Sequence, residues 1–321
     1  MKKILVCGAG GFIGYHLVKD LTRQGHYVVG VDLKRTLYAP TDAAEFYLYD
    51  LRDPQLVEQL IISDFDEIYQ LAADMGGTGY IGTGEHDSDI MHNSAMINLN
   101  VVHEACKKGI KKILYTSSAC VYPERNQTDP DNPLCSEDSV YPAEPDTEYG
   151  WEKLFSERLY FAHRKNHNID AKVVRLHNVF GPQGSWNDGK EKAPAALCRK
   201  VAECPESGQV EIWGPGTQTR SFLYIEECVK GLQMIMASNI DQPVNLGSER
   251  MISINDLALL IASIAEKQLS IQNIDGPVGV MGRTSHNKLI EELLGWRPDE
   301  NLEYGLAQTY KWIKEQVNAL H

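Results

Sequence analysis

The chain has 321 residues, of which 43% are hydrophobic and 23% charged, as is typical of a globular enzyme with two domains or one α/β domain and a smaller lobe. The net charge of −13 argues against nucleic acid or an anionic membrane as a partner, but it does not exclude an anionic small molecule. The sequence lacks a window of about 20 apolar residues that would predict a membrane span, and its seven cysteines, without a CxxC pair, indicate reduced thiols in a cytoplasmic protein with no metal site.

A strand, a glycine loop and a helix are the first predicted elements. The strand covers residues 4–7, and a helical pattern runs to about Arg23. The loop between them reads GxxGxxG, which allows a tight turn, close approach of the backbone to a pyrophosphate and close packing of helix on strand. Because the loop follows a strand and opens a helix, it predicts dinucleotide binding. The residues assigned to this contact are Gly8, Gly11, Phe12, Ile13 and Gly14.

The second predicted strand, residues 27–32, ends in the carboxylate of Asp32, about 20 residues after the glycine loop. A carboxylate at this position accepts a hydrogen bond from the 2′-hydroxyl of an adenosine ribose. Its charge would repel a 2′-phosphate, so NAD is favoured over NADP as the cofactor. Lys34 and Arg35 act in the opposite direction.

Two further strands continue the pattern. The third covers residues 46–49 and precedes Asp50, which we expect at the adenine, although an aspartate that only forms a turn fits as well. The fourth covers residues 68–73 and precedes a glycine-dense loop, residues 74–80, that can lie close to cofactor and substrate. The cofactor-binding residues assigned in this stretch are Asp50, Leu51 and Ala72.

Repeated alternation of strand and helix predicts the fold class. A helical pattern at 88–108 is followed by strands at 111–116 and 171–176, after which the alternation loosens. This order predicts an α/β fold, a doubly wound parallel Rossmann-type sheet with a second, smaller α/β substrate lobe. The predicted division is an NAD-binding domain at 1–176 plus about 219–247, and a nucleotide-sugar lobe at about 177–218 and 248–321.

Tyr149 and Lys153 are four residues apart at the start of a helical pattern, so their side chains share one face. A neighbouring ammonium favours the phenolate, which lets a tyrosine take or return the proton of an alcohol during hydride transfer. Ser118, at the end of a buried strand, strengthens this interpretation, since ligands of parallel sheets bind at the carboxyl ends of the strands. Two other pairs with the same spacing are interpreted as solvated helix faces: Tyr15/Lys19 and Tyr310/Lys314.

Basic residues gather in the C-terminal half despite the acidic composition. We interpret them as local positive charge that meets a diphosphate, with solvated surface as the alternative for each. They are Lys190, Lys192, Arg199, Lys200, Arg220 and Arg283.

The residues listed so far resemble the extended short-chain dehydrogenase/reductase family, on Gly8, Gly11, Gly14, Asp32, Ser118, Tyr149 and Lys153. A closer resemblance, to the GDP-mannose 3,5-epimerase family, covers most of the chain. It departs at Thr78, at Tyr141 and in a longer loop before Ile90, which flank the expected substrate pocket. The shared runs are residues 71–77, 117–123, 141–145, 191–196, 213–222 and 312–316.

The resemblance implies transient oxidation at C4 of a hexose by NAD, which acidifies the hydrogens at C3 and C5. Cys120 and Lys192 then exchange protons on opposite faces of the sugar, and Lys190 and Arg283 are expected to help lower the pKa values of the thiol and the amine. The alternatives are an inert buried cysteine and a phosphate-binding lysine. Other sugar-nucleotide 4-epimerases or 4,6-dehydratases, or a non-catalytic NAD sensor, are competing functions.

The resemblance also implies a GDP-sugar as substrate and a homodimer formed through helices near 88–108 and 149–165. Asn178 and Lys192 are expected near the hexose, and the two arginines are expected to bind the diphosphate as forks. The implied substrate-binding residues are Gly79, Ser118, Cys120, Asn178, Glu191, Lys192, Gln218, Arg220 and Arg283.

Overall fold

Parallel strands form the central sheet of the computed structural model, which describes residues 1–299 and 301–320. In chain order the strands are β1 (Lys3–Cys7), β2 (Tyr27–Asp32), β3 (Glu45–Leu48), β4 (Glu67–Gln70), β5 (Lys112–Ser118), β6 (Asp170–Leu176), β7 (Val179–Phe180), β8 (Ser207–Trp213), β9 (Thr219–Ser221), β10 (Leu223–Tyr224), β11 (Val244–Leu246), β12 (Met251–Ser253), β13 (Gln268–Ile274) and β14 (Gly282–Arg283).

Helices follow most of these strands, together with three short 3₁₀ segments at Ala119–Val121, Glu124–Gln127 and Glu137–Val140. Within the described residues none of the helices has the length and apolar content that crossing a bilayer requires. The helices are α1 (Phe12–Arg23), α2 (Pro54–Leu60), α3 (Thr78–Ile81), α4 (Asp87–Lys107), α5 (Glu148–Asn166), α6 (Ala193–Glu203), α7 (Ile225–Ala237), α8 (Ile254–Ile264), α9 (Lys288–Leu294) and α10 (Leu302–Ala319).

The central sheet has seven strands in the order β11-β6-β5-β4-β1-β2-β3, and every neighbouring pair is parallel. The direction of winding reverses between β1 and β4, so a crevice opens at the carboxyl ends of these strands. The predicted doubly wound parallel sheet is confirmed.

Apolar cores cover both faces of the sheet. On one face α1 and α7 pack against β1 and β11 through residues such as Leu17 and Leu232. On the other face α2, α4 and α5 pack against β4 and β5, with Val101 and Tyr160 fully buried. Strands that are covered on both sides become continuous apolar runs, which is why the sequence shows runs instead of alternation at these positions.

The fourth strand is shorter than predicted. It ends at Gln70, whereas the sequence pattern extends it to residue 73. The Gln70 side chain donates to the Ala72 carbonyl at 2.9 Å and accepts from the Ala72 amide at 3.2 Å. These two bonds bind the backbone that would otherwise continue the ladder, so the chain turns towards the glycine-dense loop.

A separate apolar core lies in the C-terminal half. Helices α6, α8 and α10 pack around the two-stranded β8–β13 sheet, with Cys198 and Leu257 fully buried. Helix α9 instead packs on β11 through Ile290, within the core of the main sheet. Strand β9 pairs with β12 and β14, away from that sheet. The predicted division into an NAD-binding domain and a nucleotide-sugar lobe stays a prediction.

A buried ion pair supports the carboxyl end of β5. Glu157 on α5 accepts from the Ser117 hydroxyl at 2.6 Å and from Arg175 on β6 at 2.8 and 2.9 Å. Only 3% of either charged side chain is exposed. Removal of one partner would leave a buried charge without compensation, which costs far more than the loss of an exposed pair.

We therefore expect Glu157→Gln to lower the free energy of unfolding by about 3 kcal/mol. The control is Glu144→Gln, which breaks the exposed Arg125–Glu144 pair and should change stability by less than about 1 kcal/mol. Urea unfolding of both variants checks this. Equal losses for the two variants would show that burial of the first pair does not determine its contribution.

Candidate active site

One cleft of about 1010 Å³ runs along the carboxyl edge of the central sheet and continues into the C-terminal lobe. Its walls carry all the residues that the sequence nominates for catalysis, cofactor binding and substrate binding. These are Gly8, Gly11, Phe12, Ile13, Gly14, Asp32, Asp50, Leu51, Ala72, Gly79, Ser118, Cys120, Tyr149, Lys153, Asn178, Glu191, Lys192, Gln218, Arg220 and Arg283.

The glycine loop forms a cradle that fits a dinucleotide. Gly8 has φ +82°, and a Cβ on Gly8 would lie 2.9 Å from the Ala72 amide nitrogen. A Cβ on Gly14 would lie 2.1 Å from the Gly8 carbonyl oxygen, so only glycine lets α1 pack this close to β1. The amino end of α1 consequently faces the cleft with its free amides, as a pyrophosphate requires.

Two carboxylates lie at the expected adenosine end of the cleft. Asp32 accepts from the amides of Gly10 at 3.0 Å and Lys34 at 3.2 Å, and burial raises its pKa although these amides act against the shift. Asp50 binds the guanidinium of Arg52 at 2.7 to 3.1 Å, and that hydrogen bond lowers its pKa. Both carboxylates line the cleft, and their contacts with the ribose and the adenine stay predictions.

Ser118, Tyr149 and Lys153 meet where β5 ends and α5 begins. Lys153 donates to the Thr116 carbonyl at 2.9 Å, and its amine lies 5.6 Å from the centre of the Tyr149 ring. Burial opposes the effect expected of the ammonium on the phenol of Tyr149, and the role of this pair stays a prediction. Burial raises the pKa of Tyr149 well above its usual value, nearby Cys120 adds to the rise, and the Ser118 hydroxyl only partly offsets it.

Cys120 lies in the 3₁₀ turn directly after Ser118, whose hydroxyl accepts from the Cys120 amide at 3.2 Å. The residue is 7% exposed and packs against Ile90 and Tyr149. Its sulfur is nevertheless in a polar contact, because Nη1 of Arg283 lies 3.1 Å away. A cation beside the thiol fits a reactive cysteine, whereas burial fits an inert one, and the role of Cys120 stays a prediction.

Arg283 is not free to act as a diphosphate fork in this conformation. Its Nε donates to Gln127, Nη1 to Cys120, and Nη2 lies 3.4 Å from an oxygen of Asp146. Burial lowers the pKa of this guanidinium, but the nearby Cys120 and Asp146 outweigh burial, so the group stays protonated. The geometry thus places Arg283 beside the thiol, where one of its two expected roles puts it, and its contact with a diphosphate stays a prediction.

Lys192 is the N-cap residue of α6 and is partly buried on the other side of the cleft. Within residues 1–299 and 301–320 its amine has no hydrogen-bond partner. Burial lowers the pKa of Lys192, which is the predicted direction, although the sequence-based prediction attributed it to neighbouring cations. Lys190 belongs to a different contact, since its amine lies 3.4 Å from Asp74 and 3.7 Å from the centre of the Tyr80 ring.

The other predicted substrate residues have visible anchors. Gly79 lies against Trp213, and Asn178 donates to the Ser221 carbonyl at 3.0 Å. Glu191 accepts from the Gly189 amide at 2.7 Å. Gln218 is 5% exposed, and its side-chain oxygen has no hydrogen-bond partner in the described structure, which suits a ligand donor. Burial, with the charge of Arg283, lowers the pKa of Arg220 to about 10.

Sequence reasoning missed three residues of this cleft region. Gln127 and Asp146 contact Arg283, and Trp213 lies against Gly79 of helix α3. Gln127 ends a short 3₁₀ segment and Asp146 lies just before α5, and neither belongs to a periodic pattern or a motif. Their partner lies more than 130 residues away, so the sequence contains no local signal for these contacts. In the part of the chain that the structure describes, no group of three His, Cys, Asp or Glu side chains is arranged to hold a metal.

Comparison with known proteins gives the context of this geometry. Residues 4–247 match the model of the NAD-dependent epimerase/dehydratase family. The chain belongs to that family. A protein of Arabidopsis thaliana named GDP-mannose 3,5-epimerase is 44% identical over 98% of this chain and 83% of its own length, which groups the chain with the GDP-mannose 3,5-epimerases.

Solved structures of the family share the fold. UDP-glucose 4-epimerase of Thermotoga maritima, with UDP-glucose, has a TM-score of 0.84 at 23% identity, over 98% of this chain and 99% of its own. UDP-glucuronic acid 4-epimerase of Bacillus cereus, with UDP-glucuronic acid and NAD, has a TM-score of 0.82 at 26% identity with the same coverage. The predicted family, fold and NAD cofactor are thereby confirmed, whereas the roles of single residues in this epimerase stay predictions.

The predicted role of Asp32 in selecting NAD over NADP can be tested by substitution. Asp32→Ser removes the charge that repels a 2′-phosphate while Lys34 and Arg35 remain. We expect the preference for NAD over NADP, measured as the ratio of the two dissociation constants by calorimetry, to fall at least about tenfold. The exposed Asp42→Ser is the control and should leave the ratio unchanged. An unaltered ratio in Asp32→Ser would remove this residue from cofactor selection.

Proposed function

We propose that this chain is an NAD-dependent epimerase that converts GDP-mannose to GDP-L-galactose, and to GDP-L-gulose when only C5 is inverted. The observation that carries the proposal is that Cys120, in contact with Arg283, lines the same cleft as Lys192 and the Tyr149–Lys153 pair. The 44% identity to a GDP-mannose 3,5-epimerase over nearly the whole chain supports the choice of sugar nucleotide.

The first part of the reaction is an oxidation at C4. Bound NAD supplies the hydride acceptor, later the hydride donor, and in its oxidised form a positive charge in the cleft. Tyr149 takes the proton of the 4-hydroxyl group and returns it at the end. Lys153, held by the Thr116 carbonyl, adds a fixed positive charge that favours the phenolate, and Ser118 donates to the sugar oxygen.

The second part is the inversion at C5 and C3. A ketone at C4 acidifies both neighbouring C–H bonds, because the electron pair left behind delocalises onto the ketone oxygen. One member of the Cys120/Lys192 pair takes the proton from one face, and the other delivers a proton to the opposite face. Arg283 places its positive charge 3.1 Å from the sulfur of Cys120, and burial lowers the pKa of Lys192, which favours its neutral amine.

The proposal also assigns a ligand to each of the two apolar cores. The main sheet binds NAD, and the lobe around α6, α8 and α10 binds the sugar nucleotide, in keeping with their separate apolar cores. The chain works in the cytoplasm, where cysteines without disulfide bonds are the rule.

The chain forms a homodimer through α4 and α5. These helices pack together and leave the apolar side chains of Leu99, Trp151 and Phe155 39 to 48% exposed.

Deuterium oxide distinguishes this reaction from its alternatives. GDP-mannose incubated with the enzyme should yield products inverted at C5, or at C3 and C5, with deuterium at each inverted carbon. NMR and mass spectrometry of the products measure this. A product inverted at C4 without deuterium would identify a 4-epimerase, and loss of water from the sugar would identify a dehydratase. No reduction of bound NAD by any nucleotide sugar would favour a non-catalytic sensor.

Two variants should separate the two parts of the reaction. Cys120→Ala is expected to bind NAD and GDP-mannose and to form NADH in single turnover, but to lose hydrogen exchange at C3 and C5 by at least about a hundredfold. Tyr149→Phe should block NADH formation itself. Absorbance at the NADH band and NMR exchange rates provide the two readouts. Epimerisation by Cys120→Ala at the native rate would exclude the proposed acid/base role.

The proposed dimer surface can be tested by placing a charge at an exposed apolar position inside it and at a matched position outside it. Phe155→Glu on α5 places a charge in the proposed interface, and we expect sedimentation to give a monomer. Leu259→Glu on α8, where the side chain is 47% exposed compared with 48% for Phe155, is the matched control and should leave the dimer intact. A dimer in both variants would place the interface elsewhere.

A further inference from the structure

We propose that Gln127 is a positioning residue that holds the Arg283 guanidinium against the sulfur of Cys120 and thereby favours its thiolate. The proposal rests on the proposed function in one respect, that Cys120 exchanges a proton with the sugar. Gln127 does not line the cleft and carries no charge, so its effect on the sulfur passes through Arg283.

The orientation of the Gln127 amide is fixed by its own hydrogen bonds. The side chain is fully buried, and its Nε2 donates to the carbonyls of Tyr122 at 3.0 Å and Pro123 at 3.2 Å. Both N–H groups are thus used within its own loop. A reversed amide would place its oxygen against two carbonyl oxygens, so Oε1 must face Arg283.

The contact with Arg283 fixes the guanidinium plane. Nε donates to Oε1 of Gln127 on one side, while Nη1 lies 3.1 Å from the Cys120 sulfur and Nη2 lies 3.4 Å from Asp146. Because the guanidinium is planar and rigid, fixing the Nε–H direction also fixes the directions of the Nη groups. Without Gln127 the fork is free to rotate towards the carboxylate of Asp146, its other charged neighbour, and away from the sulfur.

Backbone contacts tie the two segments together. The Gln127 carbonyl accepts from the Met281 amide at 3.0 Å, next to β14, the strand that carries Arg283. The following residue, Gly282, approaches the chain just after Gln127 so closely that a Cβ would lie 2.3 Å from the Asp129 carbonyl oxygen. Gln127 is therefore held from both its side chain and its main chain, and it presents a fixed acceptor to Arg283.

Several ionisable groups on other elements interact electrostatically with the Cys120 sulfur. Among the described residues, Arg283 is the one with a hydrogen-bond donor close enough to contact the sulfur. The other groups act through charge alone and are unchanged by a substitution at Gln127; they are Arg220, Lys192, Lys153, Tyr149 and Cys135.

The test is the alkylation of Cys120 in the NAD-loaded enzyme by iodoacetamide, followed by mass spectrometry of the peptide that contains Cys120. The rate at pH 7, divided by the rate on the alkaline plateau, reports the share of thiolate and does not depend on turnover. In Gln127→Met, which keeps the volume but lacks the acceptor, we expect this ratio to fall about tenfold. Gln127→Asn, a milder change, should give a smaller fall and serves if the first variant does not fold.

A double-mutant cycle identifies the route of the effect. In an Arg283→Met background, Gln127→Met or Gln127→Asn should cause no further fall, because the group through which Gln127 acts is gone. A native ratio in the folded single variants, or an undiminished fall in the Arg283→Met background, would overturn the proposal. These outcomes are independent of the Cys120→Ala exchange experiment, so a failure of the positioning role and a failure of the epimerase proposal can be distinguished.

Discussion

A buried guanidinium held against a buried thiol is the interaction on which the chemistry of this cleft depends. Neither Arg283 nor Cys120 is more than 7% exposed, so the low local dielectric strengthens their mutual attraction. The same burial would be costly if one member lacked a partner. The protein meets this requirement by giving each nitrogen of the guanidinium its own acceptor, from three separate segments of the chain.

The central sheet brings these segments together. The ends of β1, β2, β4 and β5 lie at one edge, where the glycine loop, Asp32 and the Ser118–Cys120 turn follow one another around the cleft. The C-terminal half of the chain contributes Lys192, at the start of α6, and Arg283, on β14, to the same cleft. The buried Arg175–Glu157 ion pair and the hydrogen bonds of the Gln70 side chain stabilise the ends of these strands. The residues proposed for cofactor binding and for proton transfer thus line one cleft at this edge of the sheet.

The sequence was sufficient for the sheet, the cradle and the family, because each depends on local order. Glycines between a strand and a helix, a carboxylate at the end of β2 and a Tyr/Lys pair on one turn of helix are readable along the chain. The hydrogen-bond partners of Arg283 could not be predicted from the sequence, because Cys120 and Gln127 lie 163 and 156 residues away along the chain. The effect of burial was not visible in the sequence because it follows from packing: burial raises the pKa of Tyr149 and lowers that of Lys192.

The central claim is that the hydrogen at C4 leaves and returns within the cleft while the hydrogens at the inverted carbons exchange with water. GDP-mannose carrying deuterium at C4, incubated in ordinary water and examined by NMR, tests it most directly. The account predicts that the product keeps its deuterium at C4 with the configuration there unchanged. Loss of that deuterium to water, or its retention with C4 inverted, would contradict the account.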